Sequence, residues 1–191
     1  MDENRRNHII RNFVSEDVLK LFREYSVIRA MSDMPMTSAG QRIMKHDPDV
    51  GNCIDIRYGD PFANGLLLNY REKISQVVGK KLEPIVSFYR VYATGCQLPM
   101  HKDTPEYEWS ATLCMGYEAL ESWPLYIEKE PFYLEAGDCL IYQGAKDLHG
   151  RKPFNGSWQS QIFLHYKEKK NGSDGEKNKQ SDAGNEASKG L

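Results

Sequence analysis

The chain has no run of apolar residues approaching the roughly twenty that cross a bilayer. Its opening stretch, MDENRRNHIIRNF, carries arginines but no apolar segment of signal-peptide length. The expectation is a cytoplasmic protein with no membrane partner. An excess of charge of one sign is lacking too: the formal net charge is −2 and the predicted pI is near 6.2. A phosphate backbone needs a basic surface, so nucleic acid is not expected as a partner. Cysteines are few, and Cys53, Cys96, Cys114 and Cys139 show no C-x-x-C spacing. They read as reduced thiols that pack as small hydrophobes. No internal repeat is visible.

What is present suits one domain of ordinary size, since 191 residues with 40% hydrophobic and 11% aromatic content can bury a core. The last 25 residues, KEKKNGSDGEKNKQSDAGNEASKGL, hold almost nothing apolar. The domain is therefore expected over 1–166, followed by a disordered polar tail over 167–191. Near the start, IIRNFVSEDVLKLFREY reads as a short strand and an amphipathic helix capped by Ser15, with Glu16 and Asp17 in its first turn. Asp60-Pro61 signals a second helix, with Leu67, Tyr70, Ile74 and Val77 at helical spacing and Gly79 as its stop. Residues 31–58 look like loops with one or two edge strands. After Pro84 come VSFYRVY, SATLCM, PLYI, FYL, CLIY and SQIFLHY, short β-branched or aromatic runs separated by turn residues. They predict a mainly β (α+β) protein, an antiparallel sandwich or barrel over about 84–166 with the helices packed on one sheet.

Of the five histidines, only His101 is followed two positions later by aspartate, in what looks like a turn-like segment, QLPMHKDTPE. In extended backbone, residues i and i+2 point to the same side, so His101 and Asp103 can aim at one point while Lys102 faces away. Two histidines and a carboxylate form the facial set that suits iron(II) and leaves positions open. His149, in AKDLHGRKPF, is the best third ligand, 46 residues after Asp103. His8, His46 and His165 are assigned no chemistry.

These residues resemble the 2-oxoglutarate and iron(II)-dependent oxygenases, specifically the prolyl 4-hydroxylase-like group. RNFVSEDVLKLF is similar to the family's opening strand and helix. YRVYATGCQLPMHKD places Tyr92, Gly95, His101 and Asp103 as the family does; LEAGDCLIY and HGRKPFNGSW match its glycine-aspartate turn and distal segment through His149, Pro153 and Gly156. The resemblance implies a double-stranded β-helix (jelly roll), Fe(2+), 2-oxoglutarate as co-substrate, and ascorbate as auxiliary reductant. It further implies a hydroxylase that couples 2-oxoglutarate decarboxylation to C–H oxidation of a small-molecule or peptidyl substrate by dioxygen. Asp103 points away from halogenation, which needs a small residue at that position.

One departure stands out. These hydroxylases usually carry Lys or Arg about ten residues after the distal histidine, and here Trp158 and Gln159 occupy that place. A buried carboxylate without a cation is costly, so another group must supply the charge. Arg90 comes first, by strand parity with Tyr92; Arg151 second; Lys152 and Lys102 are weaker. Tyr92 and Gln159 are expected to hydrogen-bond the co-substrate. Glu106, Tyr107, Glu108 and Trp109 are expected near the mouth. Two other readings stay open: a cupin-like metalloprotein that does not use 2-oxoglutarate, and an inactive jelly-roll binding module.

Overall fold

The computed structural model describes residues 7–33 and 45–170. Most of the tail expected to be disordered, 171–191, lies outside the described residues.

The chain runs β1 (His8–Ile10), α1 (Glu16–Asp33), β2 (Lys45–Asp47), β3 (Gly51–Tyr58), α2 (Pro61–Val78), β4 (Leu82–Ala93) and β5 (Leu98–His101). It continues with β6 (Trp109–Glu118), β7 (Leu125–Ile127), β8 (Glu130–Phe132), β9 (Cys139–Tyr142), β10 (His149–Arg151) and β11 (Trp158–Glu168). Seven strands form one antiparallel sheet in the order β1-β9-β6-β11-β4-β3-β2, and four form a second in the order β5-β10-β7-β8. This is the mainly β jelly roll that the sequence predicts.

Local chemistry sets the helix ends. Asp60 Oδ1 accepts from the backbone N–H groups of Phe62 (2.9 Å) and Ala63 (3.3 Å), Pro61 takes the first turn, and Gly79 closes α2 in the left-handed conformation at φ 68°. Tyr25 of α1 donates its hydroxyl to Asp60 Oδ2 at 2.5 Å, so the cap of one helix also ties down the other. Both helices cover the outer face of the larger sheet. Their core contains Phe22, Ile74, Tyr89, Leu113, Ile162, Leu164 and Tyr166. The inner face meets the smaller sheet, and side chains alternate between the two. On β11, Ile162 and Leu164 face the helices, while Phe163 belongs to an inner cluster with Tyr92, Trp123 and Phe154.

Three details differ from expectation. β3 is an interior strand between β4 and β2 rather than an edge. Its Asp55 is buried but paired to Lys45, Arg57 and the Tyr89 hydroxyl, so charge that reads as loop is neutralised inside the sheet. The segment before Asp103 is a strand, β5, not a turn; it holds the edge of the smaller sheet, where Pro99 sacrifices no ladder bond. And β11 extends to Glu168, past Tyr166, because Lys167 and Glu168 still pair with Glu83 and Leu82.

Candidate metal centre

β5 and β10 run antiparallel with His101 opposite His149, which fixes the two imidazoles side by side with ring centroids 4.4 Å apart. Each ring is oriented from behind: His101 Nδ1–H donates to the Pro99 carbonyl (2.8 Å) and His149 Nδ1–H to the Asp147 carbonyl (2.9 Å). Each Nε2 is thereby left bare. Both Nε2 atoms lie 3.6 Å from the same oxygen, Asp103 Oδ1. Ligand atoms of His101, Asp103 and His149 all fall within 4.8 Å of one another, the one such group among the described residues.

Asp103 sits two residues past β5, where its N–H donates to the Gly144 carbonyl at 2.9 Å. Its second oxygen, Oδ2, accepts from the Ser110 hydroxyl at 2.7 Å. A Cβ on Gly144 would overlap both Asp103 Oδ2 and Ser110 Oγ, so a larger residue there would have to displace this carboxylate. Burial alone would raise the Asp103 pKa, but the facing His101 and His149 rings overcome it and hold the carboxyl well below its usual range. The Asp103 carboxylate in turn raises the His101 pKa against the opposing effect of burial.

The cluster opens into a cavity of about 440 Å³. One wall is aromatic: Tyr58 stacks on Phe88 (4.8 Å) and Phe88 on Phe163 (4.5 Å). Arg90 and Tyr92 line the cavity as well. Arg90 Nη2 donates to Asp47 Oδ2 at 2.7 Å while its Nε has no partner. The Tyr92 hydroxyl is buried and unpaired, and burial raises its pKa against the pull of Arg90 and Arg151. Arg151 lies deeper, its guanidinium 4.9 Å from the Trp123 ring and its Nη1 donating to the Trp123 carbonyl. Nε and Nη2 of Arg151 are unpaired, no carboxylate pairs with it among the described residues, and burial lowers its pKa. Gln159 is opposite Tyr92 in the β11–β4 register, fully buried, with both amide atoms unpaired.

Of the four residues expected at the mouth, Tyr107 reaches the site and stacks on His165 at 4.4 Å. Trp109 does not: it opens β6 facing the helices, where it joins the outer core and donates to Glu168. Glu108 accepts from the Glu168 backbone, and Glu106 is exposed. His8 and His46 lie on β1 and β2, the two edges of the larger sheet, away from the cluster. Sequence reasoning missed Ser110, Gly144 and His165. Only His165 left a signal, sharing strand parity with Gln159 on β11.

No family model matches the chain, and no curated protein matches it. Solved structures do. A Pseudomonas putida prolyl-4-hydroxylase superposes with a TM-score of 0.64 at 14% identity, covering 87% of this chain and 95% of that one. The viral collagen prolyl hydroxylase of Paramecium bursaria Chlorella virus-1 gives 0.63 at 10% identity, covering 85% and 96%. HygX of Streptomyces hygroscopicus, solved with nickel and 2-oxoglutarate bound, gives 0.63 at 11% identity, covering 84% and 82%. The fold is that of the prolyl 4-hydroxylase-like 2-oxoglutarate oxygenases.

Proposed function

We propose that the protein is a 2-oxoglutarate-dependent, non-haem Fe(II) dioxygenase acting as a hydroxylase, with His101, Asp103 and His149 as the metal ligands. The observation that carries this reading is the convergence of two bare Nε2 atoms and one carboxylate oxygen at the mouth of a cavity. The donor set fits the metal: two neutral imidazoles with fixed tautomers and an ionised carboxylate suit Fe(2+) and leave positions for further ligands. Iron(II) in such a set supplies dioxygen activation coupled to decarboxylation of a 2-oxo acid.

The chain's own residues prepare the rest. A dianionic co-substrate needs donors that are already desolvated, and the Tyr92 hydroxyl, Arg90 Nε, Arg151 Nε and Nη2 and the Gln159 amide offer them. By strand parity the sequence points first to Arg90 for the distal carboxylate. Arg151 is now the stronger candidate, because Asp47 already neutralises Arg90 whereas the Arg151 charge is buried without a carboxylate. Gln159, in the place of the usual cation, contributes a hydrogen bond. The aromatic wall keeps water from the reacting carbon of a small-molecule or peptidyl substrate. Ascorbate as auxiliary reductant and a cytoplasmic setting belong to the same reading; four unbonded thiols suit a reducing compartment. No helix among the described residues is long and apolar enough to cross a membrane.

The test is succinate formation from 2-oxoglutarate with Fe(II) and dioxygen, without added substrate. Slow turnover lost in His149→Ala supports the oxygenase; metal binding without turnover would make the protein a cupin-like metalloprotein, and neither would leave a binding module. Comparing Arg90→Gln with Arg151→Gln then assigns the cation: the residue whose loss weakens 2-oxoglutarate binding more holds the distal carboxylate.

A further inference from the structure

His165 is nearly fully buried, sandwiched between Tyr107 (4.4 Å) and Phe88 (5.6 Å), and has no part in the reading above. Its hydrogen bonds can be worked out atom by atom. Asp103 is ionised and only accepts, so the Ser110 hydroxyl proton goes to Asp103 Oδ2 at 2.7 Å. Serine has one such proton, so Ser110 Oγ offers His165 Nδ1, 3.0 Å away, only a lone pair. Nδ1 therefore carries a hydrogen and donates it. The ring, kept neutral between two aromatic planes, then has a bare Nε2, and that atom has no partner. A directed chain results, from His165 Nδ1–H to Ser110 Oγ–H to Asp103 Oδ2, in which each bond polarises the next. Gly144 closes over its last link, where a Cβ would overlap both Oδ2 and Ser110 Oγ.

We propose that His165, acting through Ser110, is a positioning residue that pins Asp103 Oδ2 and leaves Oδ1 as the single carboxylate oxygen presented to a divalent metal beside His101 and His149. This rests on the metal reading above. A carboxylate gripping through both oxygens would take one more coordination position; a pinned one leaves that position for co-substrate.

The test uses the full-length protein with Co(II) as the probe, measuring affinity and the visible ligand-field spectrum anaerobically. His165→Asn keeps an N–H near the Nδ1 position and loses Nε2. His165→Gln keeps more of the volume and reach of the ring and loses the Nδ1–H donor. The relay predicts that His165→Asn binds Co(II) with wild-type affinity and spectrum, while His165→Gln and Ser110→Ala each lose about 10- to 100-fold. Combining His165→Gln with Ser110→Ala should weaken binding no further than Ser110→Ala alone. Better retention in His165→Gln than in His165→Asn, or an unaffected Ser110→Ala, would mean that the ring only fills space and would overturn the relay. Nitrogen NMR of the metal-free wild type gives a readout independent of variant folding: His165 must carry its hydrogen on Nδ1, and a hydrogen on Nε2 overturns the proposal. Absence of Co(II) binding by the wild type would instead refute the ligand assignment on which the relay depends.

Discussion

The outer and inner faces of the seven-stranded sheet differ by one step along each strand. On β11 the outward residues Ile162, Leu164 and Tyr166 pack against the helices, and the Tyr166 hydroxyl finds the Leu67 carbonyl at 2.8 Å. The inward residues of the same strand, Gln159, Gln161 and His165, carry buried polar atoms with no partner, as do Arg90 and Tyr92 in the cavity wall and Arg151 beside the Trp123 ring. Native interiors pair nearly all such groups, so unpaired ones gathered on one face mark a place built for a ligand. Both faces are buried; what separates them on β11 is how many polar side chains go unsatisfied, since outward only the Ser160 hydroxyl lacks a partner among the described residues.

That contrast can be broken from either side. The largest stability effect belongs to the outer face: Leu164→Ala should cost about 2–5 kcal/mol in denaturant unfolding, with the metal affinity of the folded fraction unchanged. On the inner face the order reverses. His149→Ala should lose more than about 100-fold in Fe(II) affinity, beyond the usual range for outer-shell changes, while the metal-free protein still unfolds cooperatively. Gly144→Ala separates the two further. The new methyl meets only the side-chain ends of Asp103 and Ser110, so calorimetry should show about 10- to 100-fold weaker metal binding and a small change in melting temperature.

Arg151→Met sharpens the comparison. It removes a buried cation with no carboxylate partner, so the metal-free protein should gain stability, by about 1–3 kcal/mol, as 2-oxoglutarate affinity collapses. A loss of stability together with unchanged affinity would show that Arg151 is structural. The smallest effect is in pH. Asp103 raises the His101 pKa above 6.5, so in the metal-free protein this pair stabilises the fold at low pH and ceases to as pH rises through the raised value. The proton on His101 competes with metal, so Fe(II) affinity should rise across that same window. Titrations of melting temperature and of affinity should therefore slope in opposite directions.

The features written in adjacent residues were legible. Asp60, Pro61 and Gly79 announce both ends of α2, and the H-x-D spacing of His101 and Asp103 works because His101 ends β5 and, two residues on, the Asp103 N–H is held by the Gly144 carbonyl. His149 could be picked out because turn and strand signals surround it. β5 and β10 were not legible as strands: they have four and three residues, one with a proline and one with a glycine, and their pairing comes from the fold. The relay was hidden for the same reason, since His165 and Ser110 meet across β11 and β6 from 55 positions apart. Trp109 reads as the end of the loop TPEYEWS and so as a mouth residue, but it is the first residue of β6, and its strand position turns it to the helices.

The central claim is that His101, Asp103 and His149 hold iron(II) in a form open to a 2-oxo acid. Its most direct test is an anaerobic titration of Fe(II) and then 2-oxoglutarate into the purified protein, followed in the visible range with His101→Ala as control. The account predicts a weak charge-transfer band that grows with 2-oxoglutarate and is missing in the variant; tight iron binding with no band, or no iron binding at all, would contradict it.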